Sequence, residues 1–175
     1  MHLPWRDRAP VEGEPLISTS LTEAETAELS RLAAGKRVLE VGSAYGYSTV
    51  VMALVAEHVT AVDPHQWLAS QSVYAGNLRA YGVQNVESWL DWSMSALPAL
   101  TQRGDTFDLV FIDGDHSEPG VAHDVSAAVK LLAPGGLIAC HDYGEDSCPG
   151  VKAFLDRAFP DGPERLVDTL FVVKP

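Results

Sequence analysis

From Lys36 onward, short apolar runs rich in β-branched residues alternate with amphipathic stretches, the pattern of a parallel sheet with helices on both faces. The runs predict strands over 37–42 (RVLEVG), 58–62 (HVTAV), 84–89 (QNVESW), 107–113 (FDLVFID) and 136–141 (GLIACH). Helices fill the gaps. Val121, Val125, Ala128 and Leu132 fall on one face at helical spacing before Pro134-Gly135-Gly136 turns the chain into the fifth strand. Trp67, Tyr74, Leu78 and Tyr81 form a similar series between strands two and three. Ahead of the sheet, Thr22 and Glu25 form a capping box, Leu21, Leu29 and Leu32 supply apolar contacts, and Gly35 stops the helix. Past Tyr143 come a polar loop, a helix near 149–159, and two short strands between Arg165 and Val173 that turn at Asp168-Thr169. The expected fold is therefore an α/β sandwich whose mostly parallel sheet ends in an antiparallel hairpin. Residues 1–20, with Pro4, Pro10, Gly13 and Pro15, read as an N-terminal arm, and residues 21–175 as one domain.

Composition narrows the function classes. With 175 residues, 46% hydrophobic and 21% charged, the chain is long enough to bury a core as one domain without disulfides or a structural metal. Its formal net charge of −12 repels a nucleic-acid backbone, and the basic pairs Arg6/Arg8 and Lys36/Arg37 are too short to offset that. A small neutral or cationic substrate fits better. Cys140 and Cys148 read as free thiols in a reducing cytoplasm. No apolar run reads as a signal peptide or a membrane span.

The candidate chemistry gathers at strand ends. Glu40-Val41-Gly42-Ser43-Ala44-Tyr45-Gly46 leaves the first strand and opens a helix, and its two glycines let the backbone turn tightly and approach a ligand. The spacing is not that of a dinucleotide fingerprint. Asp63 ends the second strand 21 residues after Gly42, where an acidic side chain can take both hydroxyls of a ribose; capping the next helix is a compatible role. After the third strand, Trp92 offers an aromatic face for stacking and Ser93 a hydroxyl for a base or a helix cap. The fourth strand ends in Asp113-Gly114-Asp115-His116 and the fifth in His141-Asp142, both opening onto the crevice of the glycine turn. Asp113 and Asp142 are hard ligands suited to Mg²⁺ or Mn²⁺, with His141 as a third candidate and no thiolate well placed. His123 and Asp124 read as solvated or capping, His58 as structural, and Cys140 as buried and unreactive.

With these residues in hand, the sequence resembles the class I S-adenosylmethionine (SAM)-dependent methyltransferases. Within them it is similar to the small-molecule O-methyltransferases that include the catechol, macrolide-sugar and cephalosporin-pathway enzymes. The likeness rests on three blocks in order, VLEVGSAYGYST at 38–49, FDLVFIDGDHSE at 107–118 and LLAPGGLIACHDY at 131–143. It implies a Rossmann-like, seven-stranded sheet with a reversed last strand. It also implies that Glu40, Gly42, Ser43 and Gly46 border the methionine part of SAM, that Asp63 holds the ribose, and that Trp92 and Ser93 meet the adenine. In metal-dependent members three ligands follow strands four and five, and the matching positions here are Asp113, His141 and Asp142. His141 departs from the usual carboxylate or amide, and Trp92 stands where relatives often carry an acidic residue. Macrolide-sugar members place a histidine base three residues beyond the metal-binding Asp, as His116 stands to Asp113.

The expected function is methyl transfer from SAM to a hydroxyl of a small molecule. A divalent metal would lower the hydroxyl's pKa and His116 would take its proton. Two alternatives are an Fe(II) oxygenase on the same scaffold and a SAM-binding protein without catalysis. Cytoplasmic location is expected, no nucleic acid or membrane partner is expected, and a homodimer is allowed.

Overall fold

The computed structural model describes residues 17–175. Most of the expected N-terminal arm, residues 1–16, lies outside the described residues. Helix α1 (Glu23–Ala33) leads into β1 (Arg37–Val41), α2 (Tyr47–Ala53), β2 (His58–Val62), α3 (Ser70–Ala80), β3 (Val86–Trp89), α4 (Ser93–Arg103), β4 (Phe107–Ile112) and α5 (Glu118–Leu131). β5 (Leu132–Cys140), α6 (Pro149–Ala158), β6 (Arg165–Val167) and β7 (Leu170–Val173) complete it. The seven strands form one sheet in the order β3-β2-β1-β4-β5-β7-β6. All pair in parallel from β3 through β5, and β7 runs antiparallel to both β5 and β6. This is the Rossmann-like class I methyltransferase sheet.

The central strands are apolar on both sides because both sides are covered. Leu39, Val41, Val110 and Ile112 face a core closed by Leu97 and Leu100 of α4, Val121, Val125 and Ala128 of α5, and Val151 and Leu155 of α6. Val38, Leu109 and Phe111 point the other way, onto Leu29 and Leu32 of α1, Val51 and Met52 of α2, and Tyr74 of α3. Alternation along a strand thus shows as which core a residue joins, and the sequence reads as a continuous apolar run. The capping box of α1 is present in full: Glu25 N–H donates to Thr22 Oγ1 at 3.2 Å and Thr22 N–H to the Glu25 carboxylate at 2.8 Å.

Two elements start more than two residues from where the pattern places them. β5 starts at Leu132 rather than at residue 136, because α5 passes straight into an extended Leu132 that pairs with Phe107, and a register shift before Leu109 absorbs the extra residues. Leu132 therefore belongs to the sheet and not to the buried face of α5. Trp67 is 55% exposed, since α3 begins only after Ala69, whose left-handed backbone breaks the helical register. Tyr74 alone of that series is fully buried.

The functional edge depends on one close approach. Gly42 follows β1 with φ +91°, and a Cβ there would lie 2.1 Å from the Asp113 carbonyl oxygen. Gly42→Ala is therefore expected to cost about 2–6 kcal/mol, from a disfavoured backbone and an overlap with backbone atoms that cannot yield. Urea unfolding measures it; an unchanged midpoint and slope would contradict this packing.

Candidate active site

Register brings the strand ends level. Val41 pairs with both Val62 and Ile112, Val62 with Trp89, and Ile112 with Cys140. The ladder then extends one residue further: Gly42 N–H bonds the Val62 carbonyl at 2.9 Å, Asp113 N–H the Val41 carbonyl at 2.8 Å and His141 N–H the Ile112 carbonyl at 3.0 Å. Gly42, Asp63, Asp113 and His141 are thus the first residues past one common edge, and β1 and β4 sit side by side where the strand order reverses. Open α/β sheets bind ligands at such a point.

On the β1–β2 side, Asp63 joins two loops. Its carboxylate accepts Ala44 N–H at 2.8 Å and His65 N–H at 2.6 Å, one on each oxygen, which leaves each oxygen a further lone pair. The expected capping of α3 is absent, because α3 starts seven residues later. Ala44, His65 and Ala69 all hold positive φ around this turn, a concentration of backbone strain typical of built sites. The His65 ring packs on Tyr74, 4.8 Å between centroids. Ser43 is buried with its Oγ unpartnered, and Gly46 begins α2 in a left-handed conformation with Tyr74 against it. Glu40 lies one layer beneath, fully buried, where Ser48 and Thr49 hydroxyls donate to its two carboxylate oxygens. Burial outweighs those bonds and pushes its pKa up to about 8. It ties the glycine turn to α2 from below.

On the β4–β5 side, two carboxylates and two imidazoles converge. His116 Nε2 lies 3.3 Å from Asp113 Oδ1 and 3.1 Å from Asp142 Oδ2. His141 Nδ1 lies 3.4 Å from Asp113 Oδ1 and 3.3 Å from Asp142 Oδ1, within ion-pair range yet without an aligned hydrogen bond. The Asp113 hydrogen bond raises the His116 pKa against the opposing effect of burial. Burial likewise disfavours charge on His141, but Asp113 and Asp142 prevail and lift its pKa to about 11. The two carboxylates and the buried His141 Nδ1, which lacks an aligned hydrogen-bond partner, thus face one another at this edge.

Sequence reasoning missed what sets that imidazole. The other ring nitrogen, Nε2, faces the Glu25 carboxylate at 3.3 Å, and Glu25 also accepts Thr169 N–H at 2.8 Å and Thr169 Oγ1 at 2.7 Å. The capping residue of α1 thereby anchors the β6–β7 turn and aims His141 at Asp113 and Asp142. A carboxylate on the far nitrogen of a histidine is the usual support for a metal ligand. The capping pattern made Glu25 visible, but nothing local pointed to a partner 116 positions away.

The profile of a methyltransferase domain matches residues 39–143, more than half of the chain. The chain belongs to the methyltransferase domain family. Among solved structures, this methyltransferase is similar to a Klebsiella pneumoniae protein provisionally described as an O-methyltransferase (27% identity, TM-score 0.68, covering 81% of this chain and 70% of that one). The fold is shared with the O-methyltransferase TomG of Streptomyces achromogenes, involved in tomaymycin synthesis and solved with SAM (23%, 0.65, 79% and 69%). It is shared also with an O-methyltransferase of Bacillus cereus solved with S-adenosylhomocysteine, SAH (20%, 0.68, 89% and 83%). Membership favours methyl transfer over the oxygenase and the non-catalytic alternatives.

Elsewhere in this methyltransferase, Trp92 is the N-cap residue of α4 and 54% exposed, with Ser93 half-buried as the first residue of the helix. Asp124 is a correction: it is buried beneath Gly114, its carboxylate oxygens lack aligned partners, and burial raises its pKa against a facing Ser93 hydroxyl. The helical pattern misplaced it because Val121 and Val125 flank it on the same inward face. Cys140 is buried as expected, with its thiol pushed well up by burial. Cys148 is not remote from the site: its Sγ, His116 and Asp142 lie within 4.8 Å of one another. No helix among the described residues is long and apolar enough to cross a membrane.

Glu40 supplies a pH test of this architecture. Its folded pKa of about 8 exceeds the ordinary 4.5, so the folded state holds a proton that the unfolded state has released. Its stabilising contribution is complete below about 4.5 and is lost as pH rises through about 8. Tm is expected to fall across that window, and the neutral isostere Glu40→Gln to flatten the fall. An equal slope in both proteins would contradict a buried, protonated Glu40.

Proposed function

We propose that this methyltransferase moves the SAM methyl group to a hydroxyl oxygen of a small molecule. The observation that carries the reading is the position of His116 Nε2 between Asp113 and Asp142, at the strand edge that also holds the glycine turn and Asp63. The named O-methyltransferases that share the fold support it.

Gly42, Ser43 and Gly46 would admit the methionine part of SAM along a backbone without bulky side chains, over a turn that Glu40 secures from beneath. Asp63 has a free lone pair on each oxygen for the ribose hydroxyls. Trp92 would present an open aromatic face to the adenine, with Ser93 beside it at the start of α4. SAM supplies a methyl group already activated on a sulfonium, so alignment of the acceptor oxygen is the main contribution left to the protein.

The residues present fit a divalent cation. Asp113 and Asp142 offer hard oxygens, and His141 offers a buried Nδ1 whose opposite nitrogen Glu25 occupies. A bound Mg²⁺ or Mn²⁺ would hold the acceptor hydroxyl and make its proton easier to remove. His116 is the base that takes the proton, and Asp113 and Asp142 then stabilise the imidazolium. A concavity of about 360 Å³ lies between Gly144–Asp146 and the Lys152–Asp156 stretch of α6. The unpaired Cys140 and Cys148 suit a reducing cytoplasm.

Incubation with SAM and a panel of hydroxylated small molecules is expected to yield SAH and a methyl ether with at least one acceptor. Chelation by EDTA is expected to stop turnover while SAM affinity is retained; full turnover in excess EDTA would remove the cation from the reaction. His116→Ala is expected to keep the fold and SAM binding and to lower kcat by about 10²–10⁴. Unchanged kcat in a folded His116→Ala protein would reassign the base.

A further inference from the structure

We propose that His116, Asp142 and Cys148 form a second metal site, specific for a thiophilic divalent cation such as Zn²⁺, whose occupation excludes the hard-cation set and switches the enzyme off. One nitrogen, one oxygen and one sulfur ligand atom come within 4.8 Å of each other here, from the loops after β4 and β5. Asp142 Oδ2 is already 3.1 Å from His116 Nε2, and the Cys148 sulfur lies within 4.8 Å of a ligand atom of each.

The cluster is fixed by packing. Gly150, two residues past Cys148, abuts the other loop so closely that a Cβ there would lie 2.6 Å from the His116 carbonyl oxygen and 2.4 Å from Glu118 N. No side chain separates the start of α6 from the His116–Glu118 backbone, so Cys148 is held at a set distance from His116. Cys148 is also the N-cap of α6, where a negative sulfur formed on metal binding lies at the positive end of the helix. Its half-buried position leaves the sulfur reachable.

Ligand chemistry separates the two sets. Asp113, His141 and Asp142 supply two oxygens and one nitrogen, which suit Mg²⁺ or Mn²⁺; replacing an oxygen by a thiolate shifts preference to Zn²⁺ or Co²⁺. Three protein ligands and one open position also match the coordination of tetrahedral zinc. Binding displaces the Cys148 proton, and any proton on His116 Nε2, to solvent. Both sets need Asp142, so they compete. Zinc on His116 Nε2 would also occupy the lone pair assigned to the base, and this inhibitory consequence rests on the proposed function, whereas the site itself does not.

Co²⁺ is the probe, because a thiolate ligand gives it a ligand-to-metal absorption band in the near ultraviolet that oxygen and nitrogen ligands do not. Metal-free protein titrated with Co²⁺ is expected to show the band, and Zn²⁺ to abolish it by displacement. Cys148→Ser should lose the band, and Cys140→Ser should keep it. Asp113→Ala should keep the band but lose Mn²⁺ binding measured by electron paramagnetic resonance, while Cys148→Ser should do the reverse. In turnover assays with excess Mg²⁺, Zn²⁺ is expected to inhibit the wild type and spare Cys148→Ser. A Co²⁺ spectrum without the band in the wild type, or a band that survives in Cys148→Ser, overturns the site. Failure to find any methyl acceptor would overturn the proposed function and leave the spectroscopic result standing.

Discussion

The structure depends on how closely two backbones meet where β1 and β4 part. Gly42 has to lie against the Asp113 carbonyl, at a distance that no side chain tolerates. Beside that approach the ladders run one residue further, from Gly42 N–H to Val62 of β2 and from Asp113 N–H to Val41 of β1, and the crevice opens immediately beyond them. The glycine turn leaves on one side and the Asp113–His116 loop on the other. A methyl donor on the first and an acceptor on the second would be set by this single contact, so its geometry governs reach and alignment together.

Around that contact acidic side chains gather. Asp63, Asp113 and Asp142 line the strand edge, with Glu40 beneath the turn and Glu25 behind His141. The protein handles these groups in different ways. Asp63 is satisfied by backbone amides, Glu40 keeps its proton, and Asp113 and Asp142 share two imidazoles. A sulfonium or a divalent cation entering the crevice would meet a field already prepared for positive charge. The proposed site at Cys148 would draw on the same field, with a soft ligand beside the Asp142 carboxylate.

Much of this was legible in the sequence because the relevant signals are local. Apolar runs, the glycine turn and acidic residues at strand ends each declare themselves within a few positions, and parallel topology then carries them to one edge. Thr22 and Glu25 were readable as a capping box for the same reason. The second role of Glu25, toward His141 and Thr169, was not, because it arises from α1 crossing the β6–β7 turn. Asp124 was misjudged since a polar residue within a helical pattern is ordinarily solvated, whereas here it closes the space under Gly114. No thiolate looked well placed, because the approach of Cys148 to His116 depends on Gly150 packing against a loop some thirty residues earlier.

Under the proposed function, the crevice along Gly42, Asp63, Asp113 and the start of α4 would receive the methyl donor. Amide chemical-shift mapping of the folded protein titrated with SAH addresses it most directly. Saturable shifts are expected to concentrate at residues 42–46, at Asp63 and His65, and at Trp92 and Ser93, with the α6 face and the β6–β7 hairpin little changed. Shifts confined to other surfaces, or no shifts at saturating SAH, would contradict it.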